Sequence, residues 1–191
     1  MIIKEQAASG RRDWELPFHP RLKAGEKSAI RWAAVEDYDR VLDMDCSGGA
    51  LLISLKDSLR IRACGMTRER GEADEIMEII DDSDIIMASP LDIPFRTGSF
   101  DEVFVTRNVG ENMSEQGVSE AARVLRPGGQ LIISCGLFPR LAAFLRGDAG
   151  QEPDRHTLMR RLQEHDFKHI SFRRSGLRGV ITAWKKEIIE K

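Results

Sequence analysis

Short apolar runs alternate along the chain with segments in which apolar residues recur every three to four positions. The runs predict five strands, at Arg40–Met44, Arg60–Gly65, Asp84–Ala88, Phe100–Thr106 and Gln130–Cys135. Turns and stretches of helical period separate them. Strands that alternate with helices in this way favour a parallel sheet covered on both faces, which is a doubly wound α/β fold.

The segments of helical period predict helices that pack on this sheet. A first helix is expected from Glu26 to about Glu36. The apolar faces of three further helices are Leu51, Leu52, Leu55 and Leu59; Ala73, Ile76, Met77 and Ile80; and Val118, Ala121, Ala122 and Leu125. Pro127 and the Gly128-Gly129 pair are expected to end the last of these and turn the chain.

The C-terminal part predicts one more helix and a hairpin. The helix contains Leu158, Met159 and Leu162, and the hairpin pairs Ile170–Arg174 with Gly179–Trp184. No linker or internal repeat divides the chain. We therefore expect a single domain over residues 26–191, with residues 1–25 as an N-terminal extension or lid.

Composition is that of an ordinary globular protein, with one asymmetry. Apolar residues make up 41% of the 191 residues and the formal net charge is −2, which gives no general reason to expect nucleic acid or membrane binding. Residues 1–120 hold 24 acidic and 15 basic side chains, whereas residues 121–191 hold 7 and 14. The prominent basic residues of the last third are Arg155, Arg160, Arg161, Arg173, Arg174 and Arg178. They form either a solvated rim or a surface for an acidic or phosphate-bearing partner.

The cysteines and the hydropathy pattern bound the cellular setting. Cys46, Cys64 and Cys135 are too few and too scattered for a disulfide framework or a zinc motif, and they favour small core residues near strand ends. No apolar run reaches about 18 residues, and no leader pattern is present. The expectation is a cytoplasmic protein with no membrane segment and no metal site.

Four segments stand in a characteristic order along the chain. They read VLDMDCSGGA at Val41–Ala50, LDIPF at Leu91–Phe95, GSFD at Gly98–Asp101 and EAARVLRPGG at Glu120–Gly129. Together they resemble the class I S-adenosylmethionine-dependent methyltransferases, in particular the type 11-like domain, whose first motif usually reads V-L-D-x-G-C-G-x-G. The resemblance covers roughly residues 26–187 and implies a Rossmann-like, mostly parallel seven-stranded sheet with a C-terminal antiparallel hairpin. It also implies S-adenosylmethionine as the cofactor, bound across the tips of the first strands.

The resemblance assigns roles to several residues. Gly48 and Gly49 keep part of the glycine turn, which lets the backbone approach the cofactor closely. Asp43 matches the acidic residue that ends the first strand and helps to place the cofactor's ammonium group, although a purely structural role in capping the turn is an equal alternative. Asn108, at the tip of the fourth strand, stands where relatives often contact substrate, or else caps the following loop.

Four cofactor positions depart from the family pattern. Asp45 and Ser47 replace glycines, and Asp45 would set a carboxylate beside that of the cofactor. Two such charges about 4 Å apart repel by about 4 kcal/mol at an effective dielectric near 20. Thr67 takes the place of the acid that accepts both ribose hydroxyls, with Glu69 as a substitute if the turn is shifted. Ser89 lies where an acidic residue usually meets the adenine.

These observations lead to one main hypothesis and two alternatives. The main hypothesis is a methyltransferase that acts on a small molecule. It predicts no particular catalytic residue, because positioning alone accelerates many such transfers. The first alternative is a methyltransferase-like binding or regulatory protein that has lost the cofactor and acts through a protein partner. A homo-oligomer is compatible with either hypothesis. The second, more remote, is a phosphatase in which Asp43 and Asp45 form the D-x-D motif that accepts a phosphoryl group.

Overall fold

Strands and helices alternate through most of the chain. The computed structural model describes residues 21–79, 84–136, 153–176 and 178–187. Its strands are β1 (Arg40–Asp43), β2 (Arg62–Thr67), β3 (Asp84–Met87), β4 (Phe100–Val105), β5 (Leu125–Gly136), β6 (Phe167–Ser175) and β7 (Arg178–Lys185). Its helices are α1 (Ala24–Trp32), α2 (Ala50–Lys56), α3 (Arg70–Ile79), α4 (Val109–Asn112), α5 (Glu115–Val124) and α6 (Arg155–Glu164).

The seven described strands form one sheet in the order β3-β2-β1-β4-β5-β7-β6. Strands β1 to β5 pair in parallel, whereas β7 runs antiparallel to both β5 and β6. The predicted doubly wound, mostly parallel sheet with a C-terminal antiparallel hairpin is therefore confirmed. Because β2 and β4 lie on opposite sides of β1, the strand order reverses there, and a crevice opens at the carboxyl ends of these strands.

Alternate residues of the central strands belong to two different apolar clusters. In β1, Val41 packs in one cluster and Leu42 in the other. In β4, Val103 and Phe104 divide in the same way, and both are fully buried. Since successive strand side chains point to opposite faces, the sheet is covered on both sides. This arrangement fixes the strand tips and leaves their loops free to carry a site.

Some predicted boundaries are wrong by a few residues, for identifiable reasons. The first helix ends at Trp32 and not near Glu36, because Ala33 leaves helical geometry and the N–H of Ala34 donates to Gln130 Oε1 at 2.8 Å. Strand β2 runs two residues further than expected, to Thr67. Cys64 is consequently in the middle of that strand and not near its tip.

The Arg-Pro-Gly-Gly turn is part of β5. Leu125 pairs with Phe100, and the next paired residues are Gln130 and Glu102, so residues 126–129 bulge out of the ladder. Gly128 adopts a φ of 73°, which favours glycine. The expected strand start at Gln130 therefore moves back to Leu125. The short helix α4, directly after β4, was not predicted.

Several sequence predictions concern residues outside the described ranges. Most of the predicted N-terminal lid, residues 1–20, is among them, and the described part of that segment includes the buried Leu22 and the start of α1. The division between extension and domain stays a prediction. Within the described ranges, none of the helices combines the length and hydrophobicity that crossing a bilayer requires.

Candidate functional site

The loop after β1 is held between its two neighbouring strands. The N–H of Met44 donates to the carbonyl of Phe104 at 3.0 Å, and the N–H of Cys46 donates to the carbonyl of Met66 at 2.9 Å. The turn then closes on itself, because the N–H of Gly49 donates to the carbonyl of Cys46 at 2.7 Å. These backbone bonds place the glycine turn at the crevice between β1, β2 and β4.

Three glycines make this loop possible. Gly48 and Gly49 have φ values of 72° and 65°, a left-handed conformation that other residues rarely adopt. A Cβ on Gly48 would have no atom within 4 Å, so the space beside that backbone is open. Gly65 has a different role, since a Cβ there would lie 2.6 Å from Cys46 Sγ. Its missing side chain lets Cys46 pack against β2.

A carboxylate joins the loop to the tip of β2. Glu72, in the first turn of α3, accepts hydrogen bonds from Ser47 Oγ and Thr67 Oγ1, each at 2.8 Å. Ser47 and Thr67 are two of the positions that depart from the family pattern. Burial works to raise the pKa of Glu72, but these two hydrogen bonds and the positive charges of Arg107 and Lys23 outweigh it, so that pKa lies below its ordinary value. Glu72 is therefore ionised at neutral pH.

Asp43 is buried beneath the loop, with 2% of its surface exposed. Burial raises the pKa of Asp43 to about 8, although the N–H of Asp45 donates to Asp43 Oδ1 at 3.2 Å and works against that rise. The nearby acids Asp45 and Glu26 raise it further. Near neutral pH this side chain is therefore mainly protonated, and it adds little negative charge to the crevice.

Asp45 and Asn108 meet across the crevice. The amide Nδ2 of Asn108 donates to Asp45 Oδ2 in a short hydrogen bond. Asn108 has a left-handed backbone (φ 42°, ψ 39°) and is the residue before α4, whose N-terminus it caps without a side-chain bond. The structure thus places Asn108 at the tip of β4 as expected, with a contact that sequence reasoning did not anticipate.

Ser89 lies apart from this group. It follows β3, forms an isolated bridge with Asp92, and its Oγ accepts the N–H of Leu91 at 3.2 Å. The neighbouring Ala88 faces the crevice, whereas Ser89 is exposed and is not among the residues that line it. A role for Ser89 at the adenine stays a prediction.

The crevice contains a first cavity of about 220 Å³. Its lining is mostly polar and comes from the tips of β1, β2, β3 and β4 and from the start of α3. The lining residues are Met44, Asp45, Thr67, Arg68, Glu69, Glu72, Ala88, Arg107 and Asn108. At its rim Arg68 forms an ion pair with Glu111 of α4 at 2.8 Å. Four of these residues, Asp45, Thr67, Glu69 and Asn108, were named as candidates from the sequence, and Met44 lies in the first of the four ordered segments.

A second cavity, of about 230 Å³, adjoins the first. Both are lined by Arg107 and Asn108, which lie between them. The lining of the second cavity is Lys23, Gly25, Glu26, Thr106, Arg107, Asn108 and Arg178. Its residues therefore come from the start of α1, the tip of β4 and the start of β7.

Sequence reasoning missed several residues of the two cavities. Glu72 lies five residues beyond Thr67, in a helix whose start was not fixed by the apolar pattern, so only its position in a first helical turn after a strand tip offered a signal. Arg107 immediately precedes the predicted Asn108. Lys23 and Arg178 are far apart in sequence, and no local pattern connects them to this site.

The cysteines and most of the basic residues of the last third lie outside the lining of the two cavities. Cys46, Cys64 and Cys135 are buried thiols, and burial, with Asp43 nearby, raises the pKa of Cys46 well above its ordinary value. The basic residues of the last third are dispersed: Arg160 pairs with Glu164, Arg173 stacks on Trp32 and Arg178 lines the second cavity. The described part of the chain holds no cluster of three or more His, Cys, Asp or Glu side chains arranged for a metal ion.

Comparison with known proteins identifies the family to which this domain belongs. The family described as Methyltransferase domain matches residues 35–133, which is more than half of the chain. The chain belongs to this family, and the family supports S-adenosylmethionine as its cofactor.

Individual relatives are more distant. The chain is 24% identical to the ubiquinone/menaquinone biosynthesis C-methyltransferase UbiE of Roseobacter denitrificans, over 91% of this chain and 77% of that protein. A chain in the complex of the Haloferax volcanii Trm112 methyltransferase activator with a methyltransferase has a TM-score of 0.74 at 15% identity, with 86% and 90% of the chains covered. The [4+2]-cyclase SpnF has a TM-score of 0.70 at 13% identity, with 85% and 80% covered. These two structures share the fold of this chain.

Proposed function

We propose that this protein transfers a methyl group from S-adenosylmethionine to a small-molecule acceptor, and that the first cavity holds the cofactor. The observation that carries the proposal is the position of the Glu72 carboxylate. It is ionised, lines the first cavity and lies beside both the glycine turn and the tip of β2. A carboxylate at this edge of the sheet is the group that recognises a pair of ribose hydroxyls.

Glu72 retains capacity for a ligand. An ionised carboxylate offers about four lone-pair sites to hydrogen-bond donors. Ser47 and Thr67 occupy two of them, one on each oxygen. The remaining sites accept the two ribose hydroxyls, so the acid that the family places at the strand end is replaced by one that reaches the same region from α3. On this interpretation, Ser47 and Thr67 hold Glu72 in place, and the three residues together replace the acid that the family has at the strand end.

The other residues also fit the cofactor. The open space beside Gly48 leaves room for the amino-acid end, and the backbone N–H groups of the turn favour its carboxylate. Asp45 offers a carboxylate to the cofactor's ammonium group. The amide of Asn108 already donates to Asp45, and this bond partly offsets the repulsion that a second carboxylate would meet.

When bound, the cofactor supplies an electrophilic methyl group on a sulfonium. The role of the protein is to orient the cofactor and the acceptor and to enclose them. Arg68 lines the first cavity and is held by its ion pair with Glu111, and the glycine turn fixes the position of the amino-acid end. Asn108 and Arg107 lie where the two cavities meet, which is where the acceptor has to approach. Acceleration then arises from holding two reactants in line.

The phosphatase alternative gains no support from the site. Its nucleophile has to be an ionised and accessible aspartate. Asp43 is 2% exposed and its pKa is raised to about 8 by burial, so it offers no such group at neutral pH. The alternative of a domain that no longer binds the cofactor is the outcome that the next experiment decides.

The experiment is calorimetric titration with S-adenosylmethionine and S-adenosylhomocysteine. We expect micromolar binding to the wild type and a loss of about tenfold or more in Glu72→Gln, because a hydrogen bond to a charged group contributes about 1.5–3 kcal/mol. Thr67→Val should weaken binding by a smaller factor, since it removes only one of the bonds that position Glu72. Glu78→Gln, an exposed acid of the same helix outside the cavity, is the matched control.

Two results would contradict this proposal in different ways. Absence of heat with wild-type protein up to millimolar cofactor would overturn cofactor use altogether. Wild-type binding that Glu69→Gln weakens and Glu72→Gln leaves intact would move the ribose contact to Glu69. Thermal unfolding without ligand separates both from misfolding, because a binding role predicts that Glu72→Gln melts within a few degrees of the wild type.

A further inference from the structure

Three cationic side chains from distant parts of the chain converge on the second cavity. Lys23 precedes α1, Arg107 follows β4 and Arg178 begins β7. Glu26 is the one carboxylate among the described lining residues, and one of its oxygens accepts the backbone N–H of Lys23 at 2.6 Å. Positive charge therefore exceeds negative charge around this space, and such a cavity attracts anions.

Buried polar atoms at this cavity have no partner among the described residues. They are Thr106 Oγ1, in a residue only 5% exposed, and Arg107 Nη1. Ser134 Oγ, a third such atom, lies 2.8 Å from the position that a Cβ on Gly25 would take. A buried polar group without a partner costs free energy, and a bound ligand would remove that cost. The unpartnered Thr106 hydroxyl and Arg107 Nη1 atom are thus a second observation, independent of net charge.

The first turn of α1 adds to the same polarity. This nine-residue helix begins at the cavity, and its N-terminal N–H groups carry partial positive charge. Gly25 has no side chain, which lets Arg178 lie close over the turn, with Nη1 3.0 Å from where a Cβ would be. The helix end and the guanidinium therefore act on one region of space.

We propose that the second cavity binds the carboxylate or phosphate group of an anionic small-molecule methyl acceptor, beside cofactor in the first cavity. This inference rests on the proposed function and names the substrate class of that site. Arg107 and Asn108 line both cavities, so an acceptor anchored by its anion extends past them toward the cofactor. Anchoring a remote charged group is an effective way to align a nucleophile with a methyl group.

The cofactor's own carboxylate is the competing occupant. Asp45 and the glycine turn belong to the first cavity, and they already offer contacts to the amino-acid end of the cofactor. The two sources differ in a measurable way. If the cofactor carboxylate filled the second cavity, removing a cation there would weaken S-adenosylhomocysteine but not methylthioadenosine, which lacks the amino-acid end.

The test uses the protein saturated with S-adenosylhomocysteine and titrated with benzoate and with inorganic phosphate. We expect one of these probes to bind, and Arg178→Gln and Lys23→Met to weaken it by about tenfold each. In Arg178→Gln, affinity for S-adenosylhomocysteine should stay within about twofold of the wild type. Arg174→Gln, an exposed arginine on β6 with the same change in charge, is the matched control and should bind the probe normally.

Each other outcome has a defined meaning. Failure of both probes to bind the saturated protein would overturn the acceptor site, as would equal effects of Arg178→Gln and Arg174→Gln. Selective weakening of S-adenosylhomocysteine relative to methylthioadenosine would assign the cavity to the cofactor carboxylate and overturn the acceptor assignment. Wild-type protein that binds no S-adenosylhomocysteine would contradict the proposed function itself, which the first titration detects before any anion is added.

Discussion

The two cavities at the carboxyl edge of the sheet share Arg107 and Asn108 but differ in charge and in hydrogen bonding. In the first, the acids Asp45 and Glu72 are already bonded by Asn108, Ser47 and Thr67. In the second, cations predominate. Side chains of the protein hydrogen-bond to one another in the first cavity. In the second cavity, Thr106 Oγ1 and Arg107 Nη1 have no hydrogen-bond partner among the described residues.

This difference fits the proposed roles of the two cavities. A cofactor cavity has to recognise the same molecule in every turnover, and a prearranged carboxylate limits the cost of ordering the site on binding. An acceptor cavity gains from an excess of cations over acids, because an anionic acceptor then supplies the balancing charge. Variants that act on one cavity at a time test whether the two cavities have different roles.

The largest expected effect concerns Asp43, beneath the loop that borders the first cavity. Burial raises its pKa to about 8 in the folded state from 3.8. Its contribution to stability is therefore full below about pH 4 and is lost as the pH rises through about 8. Asp43→Asn should remove this decline, which amounts to on the order of a few kcal/mol across that window. Urea denaturation of both proteins at several pH values measures the difference, and parallel profiles would show that Asp43 titrates normally.

The next largest effect is expected from a change in the packing between β2 and the glycine turn. Gly65→Ala places a Cβ 2.6 Å from Cys46 Sγ and 2.9 Å from Ile85 Cδ1, so the loop or β3 has to move. We expect a loss of about 2–3 kcal/mol in the free energy of unfolding and weaker S-adenosylhomocysteine binding. Gly71→Ala, whose Cβ would meet no atom within 4 Å, is the control and should change stability by less than about 1 kcal/mol. Equal behaviour of the two variants would mean that the turn does not depend on this packing.

The smallest effect is expected at the second cavity. Gly25→Ala brings a Cβ to 2.8 Å from Ser134 Oγ and 3.0 Å from Arg178 Nη1, both of which belong to side chains that can shift. The better helix propensity of alanine offsets part of the strain, so stability should change by less than about 1 kcal/mol. Displacement of Arg178 should still weaken benzoate or phosphate binding by about threefold while leaving S-adenosylhomocysteine binding unchanged. Weaker binding of both the anion and S-adenosylhomocysteine would show that the two cavities do not bind independently.

Local sequence patterns were sufficient for the overall fold. Alternating apolar runs and helical stripes predicted the parallel strands, their helices and the closing hairpin. They could do so because residues that pack on the two faces of a sheet recur with the period of a strand or a helix. The four ordered segments indicated the family as well. Boundaries were less accurate: residues 33–35 look helical by composition, yet Ala34 bonds to Gln130, which is 96 positions away.

The site was predicted only in part, for the same reason. Gly48, Gly49, Asp43 and Asn108 lie where strand tips place them, and a strand tip can be read from the chain. Other features of the site join residues from different elements. They are the hydrogen bond from Asn108 to Asp45, the bonds from Ser47 and Thr67 to Glu72, and the second cavity that Lys23 and Arg178 both line. The sequence alone determined which segments form the strands and, to within two residues, where the first five strands end. Only the tertiary structure decided which side chains meet there, because hydrogen bonds and charge depend on distance in space and not on separation along the chain.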